Sequence, residues 1–374
     1  MRDERLFRFA DMLLNYSLGL KEGDLFQINS GIGAKPLIKA LMIESKKIGA
    51  IPFLHLEDDE LARLSFEWID PEKPEQAEAV LAKNLEWELG YWKHFAAHVD
   101  IGVDENDMEL AAVDPRKIQL RRRALRPLSR VRIDEKKWVY LCWPTMAQAQ
   151  KAGMSYDDFF EYFIEVCLVA YAKMARDLEP LKALMERTKK VRITGPGTDL
   201  TFSIEGMPAV PCAGNANIPD GEIYTAPIRD SVNGVLQYNT TTNYLGKNYI
   251  NPRFVFENGK IVEATCENDS KGLNTVLDTD EGSRYIGEFA LGVNNKVLHP
   301  FGNTLYDEKI KGSFHFTPGN AYEDAQNGNA SAIHWDIVCI QRPEYGGGEI
   351  WFDDMLIRKD GLFTLPELKG LDEE

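Results

Sequence analysis

The chain has 374 residues, 44% of them hydrophobic and 27% charged, a balance that suits a folded globular protein and excludes a disordered one. Acidic residues outnumber basic ones 59 to 43, giving a formal net charge of -16, and Arg121-Arg122-Arg123 is the nearest approach to a basic block. Excess acid repels nucleic acids and anionic membrane surfaces, so neither is expected as a partner. The length exceeds what one hydrophobic core usually serves, which predicts two domains.

The opening segment carries apolar residues at Leu6, Phe9, Ala10, Leu13 and Leu14. That spacing predicts an amphipathic helix and not a signal peptide. No run of about eighteen uncharged apolar residues follows, so no membrane span is expected. Leu25 to Ile28 reads as a strand, Pro36 to Ile48 as a helix with Pro in its first turn, and Ile51 to Leu56 as a second strand. This strand–helix–strand unit predicts a parallel sheet, with Val139 to Cys142 as a later strand. Ser155 with Asp158 marks a helix start, and Phe159, Phe163, Val166, Ala170 and Met174 continue one apolar stripe behind it. Pro180 is expected to kink or end that helix. The domain boundary is placed after it, giving an α/β domain over residues 1–186 and a β-rich domain over 187–374.

The second half changes character. Val191 to Thr194 and Leu200 to Ile204 read as strands. Asn258-Gly259 and Asp360-Gly361 predict hairpins, and Ile333 to Ile340 is apolar and strand-like. A twisted antiparallel sheet or a barrel-like domain is expected. The five cysteines are scattered and odd in number, without a C-x-x-C pair, so a reducing cytoplasm is the expected compartment.

Several residues invite chemical readings. Gly31-Ile32-Gly33 lies between a strand and a helix, but Pro36 stands where the third glycine of a dinucleotide loop belongs, which favours a plain turn. His94 and His98, four apart, would share a helix face; satisfied histidines are the ordinary account. His334 and Asp336 alternate around Trp335, so on a strand both would point to one face. A buried histidine–carboxylate hydrogen bond and a metal pair both explain them. His315 sits between Phe314 and Phe316, with Tyr322 beyond a Pro-Gly turn. Glu222 and Glu288 are isolated carboxylates among small and apolar residues, where a bare charge is costly to bury unless a cation balances it. Oxygen and imidazole donors without thiolates suit zinc, manganese, cobalt or magnesium.

The segments I-P-D-G-E-I-Y-T-A-P at 218–227, I-G-E-F-A-L-G at 286–292, N-T-L-Y-D-E-K at 303–309, H-F-T-P-G-N-A-Y at 315–322 and S-A-I-H-W-D at 331–336 occur in order. Together they resemble the thermophilic-type metalloaminopeptidases, the family of aminopeptidases T, S and PepS. The resemblance runs over most of the chain and is strongest from 195 to 336. It implies a co-catalytic site of two divalent metal ions held by Glu222, Glu288, His315, Tyr322, His334 and Asp336. Within it, Glu288 as the carboxylate bridging the ions and Tyr322 as ligand or hydrogen-bond donor to the intermediate are the expected catalytic residues. The resemblance further implies a homodimer, an N-terminal α/β domain joined to a metal-carrying C-terminal domain, and release of N-terminal residues, often apolar, from peptides with a free N-terminus. The chain departs from the pattern at Thr317-Pro318, where Ala-Leu is common, and in a short segment between Tyr322 and His334. The competing expectations are another two-metal amide hydrolase, such as a carboxypeptidase or deacylase, and a metal-stabilised binding protein without activity.

Overall fold

The computed structural model describes residues 3–106, 108–244 and 246–373. The chain forms two compact units, Met1–Leu168 with Gly214–Ile218, and Val169–Ala213 with Pro219–Glu374.

The first unit is built on a five-stranded sheet in the order Ile51–Glu57, Leu25–Gly31, Ala97–Gly102, Lys137–Cys142 and Asn217–Ile218, with every neighbour parallel. Leu25–Gly31 is an interior strand and buried along most of its length, as a strand covered on both faces must be. The helix Lys35–Ile48 that follows carries Pro36 in its first turn and ends at Gly49 in the left-handed conformation (φ 82°). Gly31 and Gly33 are glycines because Val103 lies against them: a Cβ on either would stand 2.8 Å from a Val103 carbon. That close packing accounts for the two glycines without a nucleotide. The shared helix face foreseen for His94 and His98 does not exist. His98 lies on the strand Ala97–Gly102, whereas His94 lies in the turn before it. His98 Nδ1 is 2.9 Å from Asp100 Oδ2, Arg132 also pairs with Asp100, and the His98 ring packs edge-on to Trp92. His98 is thus a core histidine, held through Nε2 by the Arg132 carbonyl and through the Asp100 contact.

The helix expected to run on from Ser155 is two helices, Tyr156–Cys167 and Tyr171–Arg187. Ser155 caps the first as expected, its hydroxyl accepting from the Asp158 N–H. The break falls at 168–170, and Pro180 is accommodated inside the second helix. Leu178, Leu181, Leu184 and Met185 of that helix join the core of the second unit. Packing therefore assigns the whole helix there, ahead of the boundary read from sequence.

Among the described residues the second unit holds two large antiparallel sheets and a two-stranded antiparallel ribbon, Thr241–Tyr244 with Lys247–Ile250. One large sheet has eight strands, ordered Lys260–Thr265, Arg253–Glu257, Asn233–Gln237, Thr198–Ser203, Lys190–Gly195, Glu349–Phe352, Met355–Lys359 and Leu362–Phe363. Both expected hairpins are present, with Asn258 and Gly259 at φ 48° and 84°, and Asp360 and Gly361 at 50° and 81°. The other sheet has five strands, ordered Val338–Ile340, Ser313–Pro318, Ile286–Gly292, Glu222–Thr225 and Val210–Cys212. Of the strand expected at Ile333 to Ile340, only the last three residues pair regularly, preceded by a single bridge between Gly319 and His334. Phe202 of the larger sheet meets Phe289 and Phe316 of the smaller one, each at 5.0 Å between ring centroids, in one continuous core. Among the described residues no helix is long and apolar enough to cross a membrane.

Candidate metal centre

The five-stranded sheet separates an apolar face from a polar one by simple alternation. Across its central strands Gly292 opposes Glu222, Ala290 opposes Tyr224 and His315, and Glu288 opposes Thr317. Paired residues share a face, so Glu222, Tyr224, Glu288, His315 and Thr317 all point the same way. Ile223, Phe289, Leu291, Phe314 and Phe316 point the other way, into the core. Pro318-Gly319 then turns the chain. Gly319 has φ 111°, and a Cβ there would lie 2.2 Å from the Ile333 carbonyl oxygen, so glycine lets the 331–336 segment close onto the sheet. Trp335 buries its ring beside Tyr244 and Tyr249 and donates its indole N–H to Thr242 Oγ1. Its neighbours His334 and Asp336 are thereby turned to the opposite side, toward Glu288.

Five of the six residues named from the sequence converge within hydrogen-bonding or coordination distance. His315 Nε2 lies 2.8 Å from Glu288 Oε1 and 3.4 Å from Glu222 Oε2. His334 Nε2 lies 3.2 Å from Asp336 Oδ1 and 3.7 Å from Glu288 Oε2. Tyr322 stacks on His334 at 4.5 Å between ring centroids and leaves 47% of itself exposed. Two donors that each stand about 2.0–2.2 Å from a common ion are about 3–4 Å apart, which is the spacing seen across these pairs. Two groups, Glu222–Glu288–His315 and Glu288–His334–Asp336, offer atoms all within 4.8 Å of one another, and Glu288 belongs to both. Glu222 Oε2, Glu288 Oε2 and His315 Nδ1 are buried without a hydrogen-bond partner among the described residues. Native proteins rarely leave such atoms unsatisfied, and divalent cations would satisfy the two carboxylate oxygens. The donor set therefore fits metal ions.

The electrostatics point the same way. Burial raises the pKa of Glu288. Burial works against the His315 cation, but its bond to Glu288 and the charges of Glu222, Glu288 and Asp336 outweigh that and push it up to about 9. His334 reaches about 10 because Asp336 and Glu288 outweigh its burial. Asp336 is also buried, yet His334 holds its carboxyl well below the usual range. Both imidazoles thus act as substitute cations for an excess of carboxylate when no metal is bound. Although Tyr322 is half exposed as a residue, its phenol oxygen is crowded among Asp336 and Glu288, and that enclosure and those charges raise its pKa. Thr317 donates its hydroxyl to Asp336 Oδ1 at 2.7 Å and helps to orient it.

Residues 2–347 match the family described as thermophilic metalloprotease (M29). The chain belongs to this family. Aminopeptidase 2 of Geobacillus stearothermophilus is 26% identical over 389 residues, covering 90% of this chain and 92% of its own. Aminopeptidase T of Thermus aquaticus is 27% identical over 400 residues, covering 94% and 95%. Wild-type AmpT from Thermus thermophilus shares the fold, with a TM-score of 0.81 at 23% sequence identity over 97% of this chain and 99% of that one. This M29 chain is accordingly a metalloaminopeptidase, a hydrolase that depends on divalent metal.

Two further residues lie beside this candidate centre without any local sequence pattern that marks them. Lys309 is fully buried, and its ammonium donates to Glu222 Oε1 at 2.5 Å and lies 2.8 Å from Glu308 Oε1. Glu308 is buried as well, and burial pushes its carboxyl up to about 8. Both close the N-T-L-Y-D-E-K segment, which stood out as a motif, but nothing in its local pattern marks a buried lysine.

Proposed function

We propose that this metalloaminopeptidase removes the N-terminal residue from peptides with a free N-terminus, using two divalent cations. Glu222, Glu288 and His315 would hold one, and Glu288, His334 and Asp336 the other. The observation that carries this reading is the membership of Glu288 in both donor groups, one oxygen near each imidazole. Cations held there would polarise the scissile carbonyl and lower the pKa of water near neutral pH. Tyr322, stacked on His334 and protonated, is placed to ligate a cation or to donate a hydrogen bond to the carbonyl oxygen as charge develops on it. Oxygen and imidazole donors suit zinc, cobalt or manganese, and magnesium less well because two imidazoles take part. A preference for apolar N-terminal residues is supported by the exposed Tyr322 ring, 5.7 Å from that of Tyr224.

The test is hydrolysis of aminoacyl-arylamides beside their N-acetylated forms. Metal-stripped enzyme would be resupplied with zinc, cobalt, manganese or magnesium in turn. Metal-restored cleavage of the free-amine substrates alone is the expected result. Cleavage of the blocked forms would replace this reading with a deacylase or endopeptidase.

The same proposal includes a homodimer in the cytoplasm. Cys167, Cys212, Cys266 and Cys339 are free thiols, which suits a reducing compartment. Ile51–Glu57 is an edge strand of the parallel sheet, and Ile51, Phe53, Leu54 and Leu56 on it are each more than two-fifths exposed. An apolar edge of this kind is an aggregation hazard unless another chain covers it, and a second copy can pair with it across a two-fold axis. Light scattering should give twice the chain mass for the native protein and the single mass for Leu54→Glu. A native monomer would refute the dimer.

A further inference from the structure

We propose that Lys309 is a positioning residue that confines cation binding to one side of Glu222. It does so by filling, with its own ammonium, the place where a third cation would otherwise bind. The inference rests on the two-cation reading of Glu222, Glu288 and His315.

Glu222 is shared between two donor groups. One is Glu222–Glu288–His315. The other is Cys212–Asp220–Glu222, whose sulfur and carboxylate atoms also lie within 4.8 Å of one another. Taken alone, that second group is a thiol-bearing set, and a thiol that loses its proton to a metal is a ligand of the kind that attracts zinc. Lys309 stands in it. Its Nζ lies 2.5 Å from Glu222 Oε1, 3.6 Å from Asp220 Oδ1 and 2.8 Å from Glu308 Oε1, and the residue has no exposure to solvent. Its backbone is fixed as firmly, with its N–H donating to the Tyr306 carbonyl and its own carbonyl accepting from the Asn294 N–H.

The two oxygens of Glu222 are thereby divided. Oε1 is taken by the ammonium. Oε2 has no hydrogen-bond partner among the described residues and stands 3.4 Å from His315 Nε2. Glu222 can offer one oxygen to a cation, and only in the direction of Glu288 and His315. A tethered ammonium also differs from a metal ion in that it cannot dissociate. Asp220 and Glu222 keep a counter-charge whatever the metal content, and a second cation entering beside Cys212 meets a like charge at close range. The consequence is an oxygen and nitrogen centre from which sulfur is excluded, although a cysteine lies beside it.

Cobalt(II) is the probe, because a thiolate ligand gives it a near-ultraviolet charge-transfer band that oxygen and nitrogen ligands do not. Equilibrium dialysis of the full chain should give two cobalt ions per wild-type chain without that band, and Cys212→Ser should change neither. Lys309→Met, close in length but uncharged, should bind one additional cobalt with the band present. The band should vanish in Lys309→Met/Cys212→Ser, and Lys309→Arg should restore the wild-type spectrum. A folded Lys309→Met protein with unchanged stoichiometry and no band would overturn the inference. So would a thiolate band in the wild type that Cys212→Ser removes, a measurement that stands even where Lys309→Met does not fold; in both cases the two-cation reading survives. Wild-type protein that takes up no cobalt sinks the two-cation reading and this inference together.

Discussion

Glu288→Gln is expected to remove turnover, with kcat falling by at least about 10³-fold while the protein stays folded. Gln has the same shape and keeps one oxygen, but it loses the charge. Glu288 is 3% exposed, lies 2.8 Å from His315 Nε2 through one oxygen and 3.7 Å from His334 Nε2 through the other, and is common to both donor groups. Its neutralisation therefore weakens both cation sites at once, whereas Glu222→Gln or Asp336→Asn weakens one. Metal analysis after dialysis should show this difference, with both ions depleted in Glu288→Gln and one retained in each of the others. Folding should not suffer, because an ionised carboxylate buried beside Asp336 is itself a cost in the metal-free protein, and burial already raises its pKa. A matching melting midpoint for metal-free wild type and variant would separate lost chemistry from lost structure. A folded variant with near-native turnover would remove Glu288 from the centre.

Much of this site was legible because its geometry is local. The convergence of His334 and Asp336 was foreseen from strand alternation and is present, although here the buried Trp335 between them, rather than regular strand pairing, turns both to one side. The hairpins at Asn258-Gly259 and Asp360-Gly361 and the Ser155 cap were equally local, each set by one or two residues with particular backbone or hydrogen-bonding habits. What escaped was decided by distant packing. Lys309 meets Glu222 across 87 positions of sequence, and no short-range pattern announces that pairing. The helix break at 168–170 is another case. Pro180 is the stronger local breaker, yet the chain keeps it inside a helix whose Leu178, Leu181 and Leu184 are buried in the core. Of the apolar run Ile333 to Ile340, most lies on the sheet through a single bridge and the Trp335 anchor, so hydropathy foretold the burial of the segment and overstated its strand pairing.

Removing the metal is expected to make stability depend on pH in a direction opposite to the loaded enzyme. In the metal-free protein His315 and His334 have folded-state pKa values of about 9 and about 10, above the ordinary 6.5. A group raised on folding contributes its stability fully below its unfolded value and loses it as pH rises through the folded value. The imidazolium contribution is thus intact below pH 6.5 and is lost as pH rises through about 9 and then about 10. Glu288, raised by burial, acts in the same sense, since its ionised form is the disfavoured one in the folded state. Bound cations reverse the trend. They need neutral imidazoles and ionised carboxylates, so they compete with protons and bind more tightly as pH rises. A cation present at about 1,000 times its dissociation constant adds ~4 kcal/mol to the folded state. Denaturation midpoints with and without chelator should therefore lie close together below pH 6.5 and move apart toward about pH 9. A gap that narrows over that range would mean that the imidazoles are not exchanging protons for metal. A midpoint indifferent to chelator throughout would mean that the carboxylates around Glu288 are balanced by Lys309 and the histidines alone.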